Sequence, residues 1–181
     1  MSMLERRCAM LLASLAWAGA PAQAPAPVPR LGQPAAPELV QRWNLSVYPD
    51  GRGLPSGQGT AAQGRAIYQA HCAKCHGADG EGGSGGTLAG RAPLTDPDPD
   101  QTVGNYWPYA TTLFDFIRRA MPMDAPATLS EDEIYAVSAY VLYLNRIVRL
   151  EDRLDADSLP KIRMPNRDGF VGIDAQPPAG R

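Results

Sequence analysis

Histidine and cysteine are almost missing from this chain of 181 residues, which has two of the first and three of the second. So few ligating side chains exclude a multi-histidine metal centre and a disulfide framework. Long apolar runs are lacking too: beyond the first ~20 residues no stretch approaches the length of a membrane span. Nor does one sign of charge dominate, since 17 Lys and Arg face 19 Asp and Glu for a net charge of −2. That balance argues against nucleic acid or an anionic membrane as partner.

What little cysteine and histidine there is sits together, in the run Cys72-Ala73-Lys74-Cys75-His76. The C-x-x-C-H spacing lets two thiols form thioethers with the vinyl groups of a haem while the adjacent imidazole reaches the iron. Zinc is the competing reading, but it needs about four ligands, and outside the run only His71 and Cys8 remain. A thioredoxin-like redox pair needs no following histidine and belongs to a βαβ pattern absent here. The motif therefore predicts one covalent haem c on Cys72 and Cys75, with His76 as an iron ligand.

The sixth ligand is narrowed by the same scarcity. His71 immediately precedes Cys72 and cannot fold round to the opposite haem face, so bis-histidine ligation within the chain is excluded. A thioether raises the potential of haem iron and serves electron-carrying cytochromes as axial ligand. The candidates are Met121, Met123 and Met164. Met121 comes first, because Pro122 follows it just as a helix ends. Met123, two residues on, points the other way if the loop is extended. Met164 and an open position remain as alternatives.

Residues 1–22 combine Arg6 and Arg7, an apolar run from Cys8 to Ala18 and small residues, the layout of a secretory signal. Cleavage near Ala22 avoids leaving Pro21 or Pro25 at the new terminus. It also removes Cys8, two of the 17 basic residues and one of the 19 acidic ones, so the mature chain carries 15 against 18, a net charge of −3. Export agrees with covalent haem, which bacteria attach outside the cytoplasm, and the expected location is the periplasm.

Residues 23–58 are rich in Pro, Ala and Gly and read as an extended arm, although Trp43, Leu45, Val47 and Tyr48 call for burial. Residues 59–150 read as the haem domain. Thr60 can cap a helix in which Gly64, Tyr68 and Cys72 recur every four residues. Residues 77–90 form a glycine-rich loop expected to pass close to a flat cofactor. Thr111 or Thr112 opens a helix that Pro122 ends, with Leu113, Phe114 and Ile117 on one face. Ser130 and Glu133 form a capping box. Behind it Ile134, Val137, Val141, Leu144 and Val148 predict a helical stripe to about Arg149. Residues 151–181 read as a second extended arm without helix. The expected fold class is all-α.

Gly64-x-x-x-Tyr68, the haem motif, the Met121-Pro122 loop and the last helix with Tyr140 resemble a class I, single-haem cytochrome c. The run from Tyr106 to Pro122, YWPYATTLFDFIRRAMP, resembles more narrowly the cytochrome subunit of periplasmic sulfite and sulfur dehydrogenases, the Sox D-type subunit included. Asp50 to Pro55 and Leu159 to Phe170 are similar to the same family, so the resemblance spans about Trp43 to Phe170. It implies three main helices around the haem, a molybdenum-cofactor catalytic subunit as partner, a downstream cytochrome as electron acceptor, and Met121 as axial ligand. The pattern departs from class I cytochromes in one place. The loop proline whose carbonyl holds the proximal imidazole is replaced by Gly86-Thr87-Leu88, and Pro93 comes late, which leaves the partner of His76 open.

The expected function is electron transfer within a sulfur-compound dehydrogenase. A free diffusible carrier or the haem subunit of another dehydrogenase is the alternative, and a five-coordinate haem sensor or peroxidase a third. No nucleophile or general base marks a substrate-converting site. Trp107 and Tyr106, with Tyr109, are expected over the haem edge, where at least one would donate to a propionate.

Overall fold

The computed structural model describes residues 32–172, so the expected signal segment, its expected cleavage near Ala22 and the last nine residues of the tail lie outside the described residues. Residues 37–172 belong to one unit; of the unit before it, only 32–36 are described. The elements are α1 (Pro37–Trp43), β1 (Gln58–Thr60), α2 (Ala61–His71), α3 (Ala73–His76), α4 (Ala110–Ala120), α5 (Glu131–Leu144), β2 (Arg153–Asp155) and a 3-10 turn (Leu159–Lys161).

The helix starts follow their capping residues. The Thr60 side chain accepts from the Gln63 N–H while Gln63 reaches back to the Thr60 N–H, and Ser130 and Glu133 repeat the arrangement at the start of α5. Each box satisfies two donors that the first turn leaves unpaired. Helix α4 begins at Ala110 after Tyr109, which makes no side-chain cap, and Thr111 is buried inside its first turn.

Helix α5 ends at Leu144 rather than near Arg149. Arg146 takes φ +58°, its N–H donates to Tyr143 O, and the Ile147 N–H donates to Leu142 O. These two bonds form a Schellman stop. Periodicity alone could not show it, because the apolar residues continue past the helix end into the next turn.

Nor is α5 a one-faced amphipath. Every residue from Ile134 to Leu142 is buried. Helix α2 crosses it where Gly64 lies so close that a Cβ there would stand 1.9 Å from Ala136 O, and Tyr68 packs on Tyr140 with centroids 5.3 Å apart. On another side lies Gly59, where a Cβ would meet Ala136 N at 2.4 Å. Helix α4 closes a third side, bringing Phe114 onto Tyr135 at 4.5 Å.

The fold is helix-rich but not purely helical. β1 and β2 pair antiparallel, with Gln58 opposite Asp155, Gly59 opposite Leu154 and Thr60 opposite Arg153. Six residues of strand arise because residue 59, a glycine, lets this backbone lie flat on α5, and the returning tail then satisfies its free edge.

Both segments expected as extended arms contain regular structure, though Trp43 and Tyr48 of the first, expected to be buried, are 76% and 46% exposed. α1 lies in the first of them and is exposed throughout. In the second, Leu154, Leu159 and Met164 are 3%, 0% and 1% exposed and belong to the same core as Phe114 and Tyr135. Met164, a candidate axial ligand from composition, is therefore a core side chain here.

Candidate functional site

The haem-motif residues are delivered by one short helix. α2 stops at His71, Cys72 turns the chain, and α3 carries Cys75 and His76. The following loop is stitched back onto α3: the Gly82 N–H donates to His76 O and the Gly85 N–H to Cys75 O, each at 2.8 Å. At Gly77, Gly80 and Gly82 φ lies between +80° and +95°, where glycine is the unstrained residue. The loop then passes under the imidazole so closely that a Cβ on Gly85 would stand 2.8 Å from His76 Cε1.

His76 Nδ1 lies 2.7 Å from the Gly86 carbonyl. A carbonyl only accepts, so Nδ1 carries the proton and the Nε2 lone pair is left for a metal. Gly86 thus takes the role that the missing loop proline left open. The glycine carries no other marker for it in the sequence.

A cavity of about 540 Å³ opens beside His76, with Cys72, Cys75, Met121 and Trp107 also on its wall. Leu88, Leu113, Ile117, Leu129, Val137 and Val141 supply its apolar lining. The two thiols are unbridged. Burial pushes the Cys72 thiol up to about 11, and the neighbouring Cys75 adds to the shift. Met121 caps the end of α4, its N–H donating to Ile117 O. Its side chain is half-buried at the wall, whereas Met123 lies at the mouth and is 80% exposed. Of the three aromatic candidates, Trp107 lines the cavity and meets Phe116 edge-on at 5.9 Å, while Tyr109 is off the wall with the Arg167 guanidinium 4.2 Å over its ring. Tyr106 is not on the cavity wall; its ring packs edge-on against Phe170 at 5.3 Å.

The donor set suits a haem: two thiols and a nitrogen ligand on one side, a thioether on the wall, and apolar packing between. Among the described residues no group of three or more His, Cys, Asp or Glu is placed to hold a metal ion, so the zinc reading finds no ligand set there.

Two polar residues that the sequence reading passed over hold the wall. Asn145, 1% exposed, accepts from the Gly90 N–H at 3.0 Å and donates to Leu88 O at 3.0 Å, tying the glycine-rich loop to the end of α5. Thr102 donates to Gly90 O at 2.6 Å. A polar residue just past a helix end was the available signal for Asn145, but nothing in the sequence names its partners. At the mouth, Lys74 on α3 pairs with Asp124, three residues past Met121. Both side chains are more than half exposed, so this pair is worth little.

Among the described residues no helix is long and apolar enough to cross a membrane. Residues 59–141 match the family model described as cytochrome c oxidase, cbb3-type, subunit III. The chain is 37% identical over 101 residues to thiosulfate dehydrogenase of Allochromatium vinosum, covering 51% of this chain and 36% of that protein. It is 33% identical over 136 residues to thiosulfate dehydrogenase of Stutzerimonas stutzeri, covering 74% of this chain and 41% of that protein. The chain thus matches well under half the length of these two relatives. Its fold superposes on a chain of the sulfane dehydrogenase SoxCD from Paracoccus pantotrophus with a TM-score of 0.75 and 41% identity, covering 80% of this chain and 72% of that one. This chain belongs to the cytochrome c family, for which haem c is the implied cofactor, and within it to the Sox D-type cytochromes.

Proposed function

We propose that this chain is the electron-transfer subunit of a periplasmic, molybdenum-dependent sulfite or sulfur dehydrogenase, taking electrons from a catalytic subunit and handing them to a downstream cytochrome. The observation that carries the reading is the convergence of Cys72, Cys75, His76 and Met121 on one apolar cavity, in a chain whose likeness to SoxCD extends well beyond residues 59–141. The names of the curated relatives point to oxidation of a sulfur compound as well.

In this reading Cys72 and Cys75 hold one haem c covalently. His76 ligates through Nε2, with the Gly86 carbonyl fixing the ring's tautomer and orientation. Met121, on the same cavity wall, would supply the thioether for the iron. The haem supplies a one-electron ferric/ferrous couple. The apolar wall keeps water from the ligands, and a thioether ligand favours the reduced state. Trp107, on the cavity wall, would pack over the haem edge.

The ligand assignment is tested by substitution. Met121→Ala should abolish the methionine-to-iron charge-transfer band at the red edge of the ferric spectrum and lower the potential. Met123→Ala should leave both unchanged; the reverse outcome moves the ligand to Met123.

A further inference from the structure

We propose that Asp115 is a positioning residue for the sixth iron ligand: it locks the helix that carries Met121 to the amino-terminal segment, and so sets how readily the thioether leaves the iron. The inference rests on the Met121 reading above.

The contacts of α4 are lopsided. It packs on α5 and on the 3-10 turn at Leu159–Lys161, but makes no comparable contact with α2 or α3, which carry the cysteines and His76. The cavity lies between these two groups of elements. The distance from Met121 to His76 is therefore set through α5 and by what holds the outer side of α4.

Asp115 sits on that outer side, in the middle of the helix. Its Oδ1 accepts from the Val47 N–H at 2.9 Å and its Oδ2 from Arg119 Nε at 3.0 Å. Arg119 Nη2 in turn donates to Ser46 Oγ at 3.1 Å. One carboxylate thus joins residues 46 and 47 to the last two turns before Met121, across 68 residues of sequence.

The segment it grips is stiff. The Tyr48 N–H donates to Arg52 O and the Gly51 N–H to Tyr48 O, both at 2.9 Å. Gly53 holds φ +86° with its α-carbon so close to Ser46 that a Cβ would stand 2.0 Å from Ser46 O. A Cβ on Gly51 would meet Pro160 Cγ at 2.5 Å, which seats the loop on the same 3-10 turn that packs against α4. Asp115 is about one-quarter exposed, so its bonds are less screened than those of the Lys74–Asp124 pair at the mouth.

The test uses the full mature chain with its haem attached and titrates ferric protein with imidazole, which binds only when the thioether leaves. Asp115→Ala should tighten apparent imidazole binding about tenfold, the equivalent of one charge-assisted hydrogen bond. Asp115→Asn keeps an acceptor for Val47 and should shift it about threefold. Ser130→Ala is the control for stability alone, since it weakens the cap of α5 and should lower Tm without changing imidazole affinity. If Asp115→Ala does not fold, Asp115→Asn and Ser46→Ala decide, each expected near threefold. Unchanged imidazole affinity in the folded variants, with only Tm reduced, overturns the proposal. Persistence of the charge-transfer band in Met121→Ala would instead overturn the ligand assignment, so the two failures are distinguishable.

Discussion

His76 Nδ1 donates to the Gly86 carbonyl across 2.7 Å, and the residue before that carbonyl, Gly85, passes beneath the same ring. The loop orients the imidazole from two directions, by a hydrogen bond and by contact. Gly85→Ala would place a methyl group 2.8–3.2 Å from three ring atoms, so the ring must tilt. The expected outcome is a shifted potential and poorer haem incorporation, read by redox titration and haem staining.

The tail offers a second test. Ending the chain after Leu150 removes Leu154, Leu159 and Met164 from the core and leaves β1 unpaired. At about 1.5–3 kcal/mol for each buried side chain, the loss is comparable to the whole stability of a domain this size. Such a chain should fail to fold or to mature with haem. Within the full chain, Leu159→Ala should cost about 3 kcal/mol in denaturant unfolding. Met164→Ala should destabilise similarly while keeping the charge-transfer band, because that sulfur lies in the core and not on the cavity wall.

The capping box of α5 gives a pH-dependent prediction. Backbone and side-chain hydrogen bonds from Ser130 hold the Glu133 carboxyl below its ordinary value of 4.5. A depressed carboxyl stabilises the fold above its unfolded pKa and loses that contribution as pH falls through the folded value. Ser130→Ala should cost about 1 kcal/mol near neutral pH. The gap from the parent protein should narrow as the pH drops below 4.5, measured by urea unfolding at a series of pH values.

Much of this site was legible because its chemistry is local in sequence. Cys72, Cys75 and His76 are adjacent, and the boxes at Thr60 and Ser130 each span four residues. Met121 could be singled out because a helix end and a proline coincide there. What escaped was long-range. The clasp from Val47 to Asp115 and the Asn145 bonds to Leu88 and Gly90 join residues 55 or more positions apart, and no spacing rule connects them. The tail misled for a related reason: interleaved Lys161, Arg163 and Arg167 look like a surface arm, yet every few residues one side chain, Leu154, Leu159 or Met164, turns inward. Gly59 showed nothing of its strand, since it acts by lacking a side chain.

The proposed electron donor, a sulfur-oxidising molybdenum subunit, can be sought directly. The most direct measurement isolates the full mature chain by affinity tag from the periplasm of its native cell, quantifies molybdenum and iron, and follows the haem α-band after adding sulfite or thiosulfate. A co-purifying second subunit with molybdenum is expected, with substrate-dependent haem reduction that disappears when the subunits are separated. A haem protein recovered alone, without molybdenum and reduced by neither compound even when periplasmic extract is restored, would contradict it.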